Sequence, residues 1–141
     1  MLKVTCAIIV NQNKILVSQR GENSDHPYQW EFPGGKINRG ETAEKCISRE
    51  IREELGIEIE IQDSINAIQH DYGFKQVELI PFICRHKTGE IKLNEHVAHK
   101  WISFEELFIT DFSEADKKLI QLTENVERLK KHLWENENDS R

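Results

Sequence analysis

The sequence predicts a single α+β domain, and three observations carry that expectation. β-branched runs recur between polar turns from the first residues onward. Two segments, 42–55 and 113–133, show the apolar spacing of amphipathic helices. The chain is 141 residues long, enough for one core, with no internal repeat or low-complexity linker to divide it.

Residues 2–10 (LKVTCAIIV) read as the first strand and Ile15-Leu16-Val17 as the second, joined through Asn11-Gln12-Asn13 as a hairpin. A polar loop follows over 21–29. Trp30-Glu31-Phe32 reads as a short strand ending at Pro33-Gly34-Gly35, expected as a tight turn because glycine admits the backbone angles a turn needs. Thr42 is the expected N-cap of a helix running to Leu55, with Gly56 as its stop. Residues 57–70 and 76–87 read as two further strands. Pro81 cannot donate to a ladder, so the second is expected at an edge or with a bulge. Residues 98–103 read as another short strand. A second long helix is expected from Ser113 to Leu133, in a domain spanning 1–134, and residues 135–141 read as a polar, frayed tail.

Charged residues make up 31% of the chain and hydrophobic residues 38%, as a globular domain requires. No run of about 18 apolar residues is present, so neither a membrane span nor a membrane partner is expected. The segment from Met1 to Ala7 lacks the parts of a signal peptide. Cys6, Cys46 and Cys84 have neither disulfide nor zinc spacing and read as buried reduced thiols, which points to a cytoplasmic protein. The formal net charge of −6 argues against a nucleic-acid polymer as partner. A polyanionic ligand would need a local cation beside it, and a divalent metal is the natural one.

The first helix supplies ligands for such a metal. At ~100° per residue with Glu50 as zero, Glu53 falls near about −60° and Glu54 near about +40°, so three carboxylates share one wedge. Ala43, Ile47, Ile51 and Leu55 form the apolar stripe; Lys45, Ser48 and Arg52 form the water side. Glu44 intrudes on the apolar sector from the first turn. Arg49 stands beside the wedge, where it can pair with a carboxylate and fix its rotamer. Like charges so spaced destabilise a helix by a few tenths of a kcal/mol each. Mg²⁺ removes that cost, because it favours carboxylate oxygens and bridges to substrate phosphates. For the triad alone, a solvated acidic face is the plain alternative.

The wider spacing decides between them. Segment 35–57, GKINRGETAEKCISREIREELGI, resembles the signature of the Nudix hydrolase family at every fixed position. The matching residues are Gly35, Glu41, Arg49, Glu50, Ile51, Glu53, Glu54, Gly56 and Ile57. From average residue usage, a chance match is on the order of one in 10⁹ per start position. With Trp30-Glu31-Phe32 and Pro33-Gly34-Gly35-Lys36 ahead of it, the chain is similar to the MutT-type branch, the nucleotide-pool sanitising pyrophosphohydrolases linked to DNA repair. The resemblance extends from residue 2 to about residue 123. It implies the Nudix fold, a mixed β-sheet sandwiched between helices. It also implies an enzyme that uses Mg²⁺, with Mn²⁺ able to stand in, and acts as a monomer or homodimer. Its substrate would be a nucleoside triphosphate, oxidised or unmodified, cleaved to the monophosphate and pyrophosphate.

The resemblance also implies roles for particular residues. The Gly34 carbonyl and the carboxylates of Glu50, Glu53 and Glu54 match metal ligands, and Glu95, six residues before Trp101, matches a further one. Glu53 or Glu95 is the expected general base, with Glu50 and Arg49 completing the catalytic set. Arg20 and Lys36 match phosphate contacts. Phe32 matches a base-pocket residue, and Lys75 falls where such enzymes often place a cation beside the base. His26 lies one position out of register with a family histidine and receives no role. Asp116 is a departure, because the 8-oxo-dGTP hydrolases carry Asn there, which both donates and accepts. An ionised Asp only accepts. It would favour a base that offers a donor, such as cytosine in the CTP-type enzymes, or would read oxidised purines if protonated. Ser113-x-x-Asp116 also reads as a capping box for the last helix.

Two other functions stay open. One is hydrolysis of a dinucleoside polyphosphate or ADP-ribose; Tyr72 is compatible with the former, and Gly34 speaks against it. The other is a non-catalytic nucleotide sensor, against which the complete set of box carboxylates speaks.

Overall fold

β1 (Leu2–Asn11) and β2 (Lys14–Arg20) form the expected hairpin, closed by Gln12 and Asn13 at φ 50° and 62°. Two left-handed residues give a turn whose twist matches that of the strands. From Cys6 to Val10 β1 is apolar without interruption because both of its faces are covered there. Cys6, Ile8 and Val10 enter one core, and Ala7 and Ile9 enter the other.

The structure, a computed structural model, describes residues 1–24, 27–92 and 96–139, with side chains left aside at 96, 97 and 134–139. After β2 come β3 (Trp30–Glu31), β4 (Gly34–Lys36), α1 (Ala43–Leu55), β5 (Glu58–Ser64), β6 (Ile68–Asp71), β7 (Gln76–Thr88) and β8 (His96–Ile102). A 3₁₀ turn at Glu105–Phe108, which the sequence pattern does not announce, leads to α2 (Glu114–Gln121) and α3 (Thr123–Asp139). The strands form one mixed sheet with central order β3-β2-β1-β7-β5. β1 and β7 run parallel, from Leu2 beside Val77 to Val10 beside Arg85. The other pairings between strands are antiparallel.

Helices cover both faces of the sheet, as expected. On one side α1 buries Ile47, Ile51 and Leu55 against Ala7, Ile9 and Leu16. On the other, Leu119 and Ile120 of α2 and Leu129 and Leu133 of α3 pack on Ile8, Val10 and Ile83. Each fully buried aliphatic side chain contributes about 2 kcal/mol through lost water contact. No helix among the described residues is long and apolar enough to cross a membrane.

Four expectations need correction. Gly34 and Gly35 do not form a turn: they belong to β4, beside Cys6 and Thr5 of β1. Glycine is required there by close approach, since a Cβ on Gly34 would overlap the Thr5 carbonyl oxygen. The strand expected over 57–70 is two, β5 and β6, both pairing with β7. Pro81 is interior, and of the two expectations for it the irregular one holds, since the β5–β7 register shifts between Ile61 and Asp63. Its carbonyl accepts from Ile65 N at 3.4 Å, so its missing N–H faces the gap where β5 ends and β6 has not begun. The long last helix is also two. Leu122 is extended (φ −79°, ψ 117°), and the buried Asn125 donates from Nδ2 to Leu119 O at 3.1 Å and Asn66 O at 3.0 Å. That side chain takes the place of a continuing backbone ladder. Finally, the backbone of α3 continues to Asp139, so residues 135–139 extend a helix.

Candidate active site

α1 begins and ends as its sequence requires. Thr42 Oγ1 accepts from Lys45 N at 3.1 Å, and Gly56, at φ 70°, donates its N–H to Arg52 O at 3.0 Å. These caps fix the register of the acidic strip. Glu50 and Glu54 are largely buried beside the sheet, whereas the Glu53 side chain is 58% exposed. Glu44 is exposed, so its place in the first turn leaves the core undisturbed.

Arg49 organises this strip from behind. Its guanidinium donates to Glu41 at 2.7 and 3.0 Å, to Glu50 Oε1 at 2.9 Å, to Glu53 Oε2 at 3.1 Å and to Lys36 O at 3.1 Å. The Arg49 hydrogen bonds, together with the Asn38 N–H, hold the Glu41 carboxyl down to about 2. The same ion pairs push the guanidinium further from deprotonation. Arg49 thus positions two carboxylates and ties the helix to β4. Gly35 completes the arrangement, because any Cβ there would overlap the Glu50 carboxylate.

A cleft of about 520 Å³ runs from this strip to the interior. It brings together most of the residues singled out in the sequence: Arg20, Phe32, Gly34, Lys36, Glu50, Glu53, Glu54, Lys75 and Asp116 all line it. Arg49 does not, consistent with its bracing place behind the carboxylates. Glu95 and His26 lie outside the described residues. Among the described residues no three acidic, histidine or cysteine side chains already converge to cage an ion. Arg49 draws Glu50 and Glu53 toward itself instead.

At the inner end, β3 is anchored by Trp30 N donating to Asp111 O at 2.9 Å and Ser113 N donating to Trp30 O at 3.0 Å. This brings the start of α2 under Phe32, whose ring lies 4.9 Å from that of Phe112. Asp116 is buried, accepting from Phe32 N at 3.0 Å through Oδ1 and from the Ser113 hydroxyl through Oδ2. The capping-box reading of Ser113 and Asp116 is corrected accordingly. Ser113 stands at the N-cap of α2 but turns its hydroxyl to Asp116, and the helix has no side-chain cap bond from it. Burial, aided by the nearby Glu31 charge, pushes the Asp116 carboxyl up to about 7.

Among the lining residues without an assigned role, Glu31, Tyr72 and Ser113 make contacts that shape the site. Glu31 pairs with Arg20 at 2.9 Å. Ser18 lies opposite Glu31, which makes Arg20 its diagonal cross-strand neighbour, a register the sequence alone does not show. Tyr72 accepts from Ala115 N at 3.0 Å through its hydroxyl, and Ser113 supports Asp116. The Tyr72 contact joins segments 43 positions apart and leaves no local pattern, whereas the Ser113 bond is local and was read as a cap. Cys6, Cys46 and Cys84 are free and buried, as expected, and burial pushes each thiol up.

Comparison with known proteins agrees with this geometry. Residues 1–123 match the NUDIX domain. The chain is 34% identical to the CTP pyrophosphohydrolase of Escherichia coli K12, over 86% of this chain and 90% of that protein. It is 31% identical to the 8-oxo-dGTP diphosphatase of Haemophilus influenzae, over 85% and 89%. Among solved structures it resembles the MutT protein from Methanosarcina mazei Go1, with TM-score 0.78 and 25% identity, covering 93% of this chain and 94% of the other.

Proposed function

The chain belongs to the Nudix hydrolase family, and from that premise we propose that it is a divalent-metal-dependent pyrophosphohydrolase of nucleoside triphosphates in the cytoplasmic nucleotide pool. The observation that carries this reading is the single cleft joining an acidic strip to a pocket lined by Phe32 and Asp116. One end suits a polyphosphate with its cation; the other suits a flat base. Relatives named for CTP and for 8-oxo-dGTP support a nucleotide substrate.

The donor chemistry fits a hard cation. Glu50, Glu53 and Glu54 present carboxylate oxygens on one wall, beside Gly34 and against a glycine whose missing side chain leaves Glu50 its place. These residues, with the Gly34 carbonyl and Glu95, would hold Mg²⁺ or Mn²⁺. When bound, the cation supplies the positive charge that a polyphosphate needs beside so many carboxylates.

The chain's own groups do the rest. Arg20 and Lys36 line the cleft and bind phosphate oxygens as charge develops on them. Glu53, oriented through its bond to Arg49, takes a proton from the attacking water; Glu95 is the alternative base. Substitution at a phosphorus within the anhydride linkage then releases pyrophosphate. Asp116, with one bond to each oxygen, retains lone pairs to accept from an exocyclic amine.

The test is a panel of nucleotides with Mg²⁺, read by pyrophosphate release. Nucleoside triphosphates should yield monophosphate and pyrophosphate. Cleavage of ADP-ribose or dinucleoside polyphosphates without triphosphate turnover would replace this substrate class with the rival one.

A further inference from the structure

Gly34 and Gly35 set two residues without side-chain restraint next to each other, so β4 needs outside contacts to hold its carbonyls in one direction. Ala7 N donates to Pro33 O at 2.8 Å and Ile37 N to Lys3 O at 3.1 Å, one at each end of the strand. Bonds alternate along an antiparallel pair, so Gly35 faces β1 while Gly34 and Lys36 turn their carbonyls away from it.

Two buried side chains reach this strand, Thr5 of β1 and Cys46 of α1. Thr5 Oγ1 donates to Gly35 O at 3.2 Å, and Cys46 Sγ donates to Lys36 O at 3.3 Å. Oγ1 and Sγ meet at 3.1 Å, and Arg49 Nη2 donates to the same sulfur at 3.8 Å. The surrounding layer between sheet and helix is apolar, built from Ala7, Ile9, Ile47 and Ile51. A Val and an Ala would fill nearly the same space with no polar atom to desolvate, so packing alone does not account for the pair. What the polar atoms add is a hold on the two peptides that follow Gly34.

We propose that the Thr5–Cys46 pair sets the direction of the Gly34 carbonyl and so tunes how tightly the site grips its divalent cation. This rests on the metal-dependent reading above. Both are positioning residues that act from behind the ligands, as outer contacts orient the groups of a metal site. Through its sulfur the pair also touches Arg49, whose guanidinium holds Glu50 and Glu53.

The experiment compares wild type with Thr5→Val, Thr5→Ser and Cys46→Ala. Mn²⁺ binding to the protein alone is followed by electron paramagnetic resonance, and triphosphate turnover is measured against Mg²⁺ concentration. Thr5→Val keeps the shape and removes the donor. It should raise the Mn²⁺ Kd and the Mg²⁺ concentration for half-maximal turnover about tenfold, with nucleotide KM at saturating Mg²⁺ within about twofold. Cys46→Ala should move the same two quantities in the same direction but by less, since Arg49 still holds Lys36 O. Thr5→Ser keeps the hydroxyl and should bind Mn²⁺ as wild type does, whatever the lost methyl does to the melting temperature. Wild-type Mn²⁺ affinity in Thr5→Val, or an equal loss in Thr5→Ser, would overturn the positioning role while the hydrolase reading stood. Should Thr5→Val not fold, wild-type Mn²⁺ affinity in Cys46→Ala overturns it, and weakened affinity there upholds it. Mn²⁺ binding that weakens in Thr5→Val, without triphosphate hydrolysis by wild type, would remove the reaction and keep the pair. A wild type that neither binds Mn²⁺ nor hydrolyses triphosphates overturns both.

Discussion

The two ends of the cleft are built in opposite ways. The acidic end is written in one stretch of chain, 34–57, and held by ion pairs around Arg49 near the surface. The base end draws Phe32 and Tyr72 from the connections after β3 and β6, Val77 from β7 and Asp116 from α2, and its carboxyl is buried. Solvated charges such as Glu53 add little to stability, so substitution there should alter chemistry and spare the fold. A buried carboxyl couples recognition to stability, so its substitution should alter both.

The largest expected effect is at the acidic end. Glu53→Gln should lower kcat by roughly 10³-fold, within the range of general-base contributions, with an unchanged melting temperature. A loss under about tenfold would take Glu53 out of the chemistry. Next comes Gly35→Ala, which displaces the Glu50 carboxylate and should reduce kcat/KM by about 10²-fold through misplacement of a group that stays present. Retained activity would show that Glu50 can move without consequence.

Asp116→Asn probes the other end. Preference between cytosine and oxidised purine nucleotides should shift by about tenfold, as expected when one donor replaces an acceptor. Burial raises the Asp116 carboxyl from 3.8 to about 7, so below 3.8 it is protonated whether the chain is folded or not. Above that, the unfolded chain ionises first, and stability falls as pH rises through about 7. Urea titrations across this window should show the decline in wild type and lose it in Asp116→Asn; an unchanged slope would assign it to another group. The smallest effect belongs to Thr42→Ala, about 1 kcal/mol of stability with kcat preserved, read by the same titrations.

The same contrast explains what could be read from the sequence. Thr42, Gly56 and the spacing of Glu50, Glu53 and Glu54 act within a few residues of one another, so α1 and its strip were legible with their roles implied by resemblance. The break at Leu122 was not, because it depends on Asn125 reaching Asn66 in the gap between β5 and β6. The division of β5 from β6 at 65–67 turns on a gap opposite Pro81, and a one-dimensional pattern cannot show which side of a strand is unpaired. Gly34 was marked as special for the wrong reason: the constraint is the nearness of Thr5, not a turn. Glu50, Glu53 and Glu54, which the motif covers, line the cleft together. Glu31 was missed because its partner Arg20 comes from the sheet register, whereas Ser113 was read only as a cap although Asp116 lies three positions on.

The parallel seam between β1 and β7 has a consequence for how the protein comes into being. Leu2 sits beside Val77, 75 positions later in the chain (77 − 2), so β1 leaves the ribosome ahead of its neighbour and waits while that stretch is synthesised. Such delayed pairing makes for slow assembly and leaves an apolar segment exposed to stray association meanwhile. Leu2, Val4 and Cys6 meet Val77 and Leu79 along the cleft's floor, so a nascent chain cannot hold a nucleotide until that seam has closed.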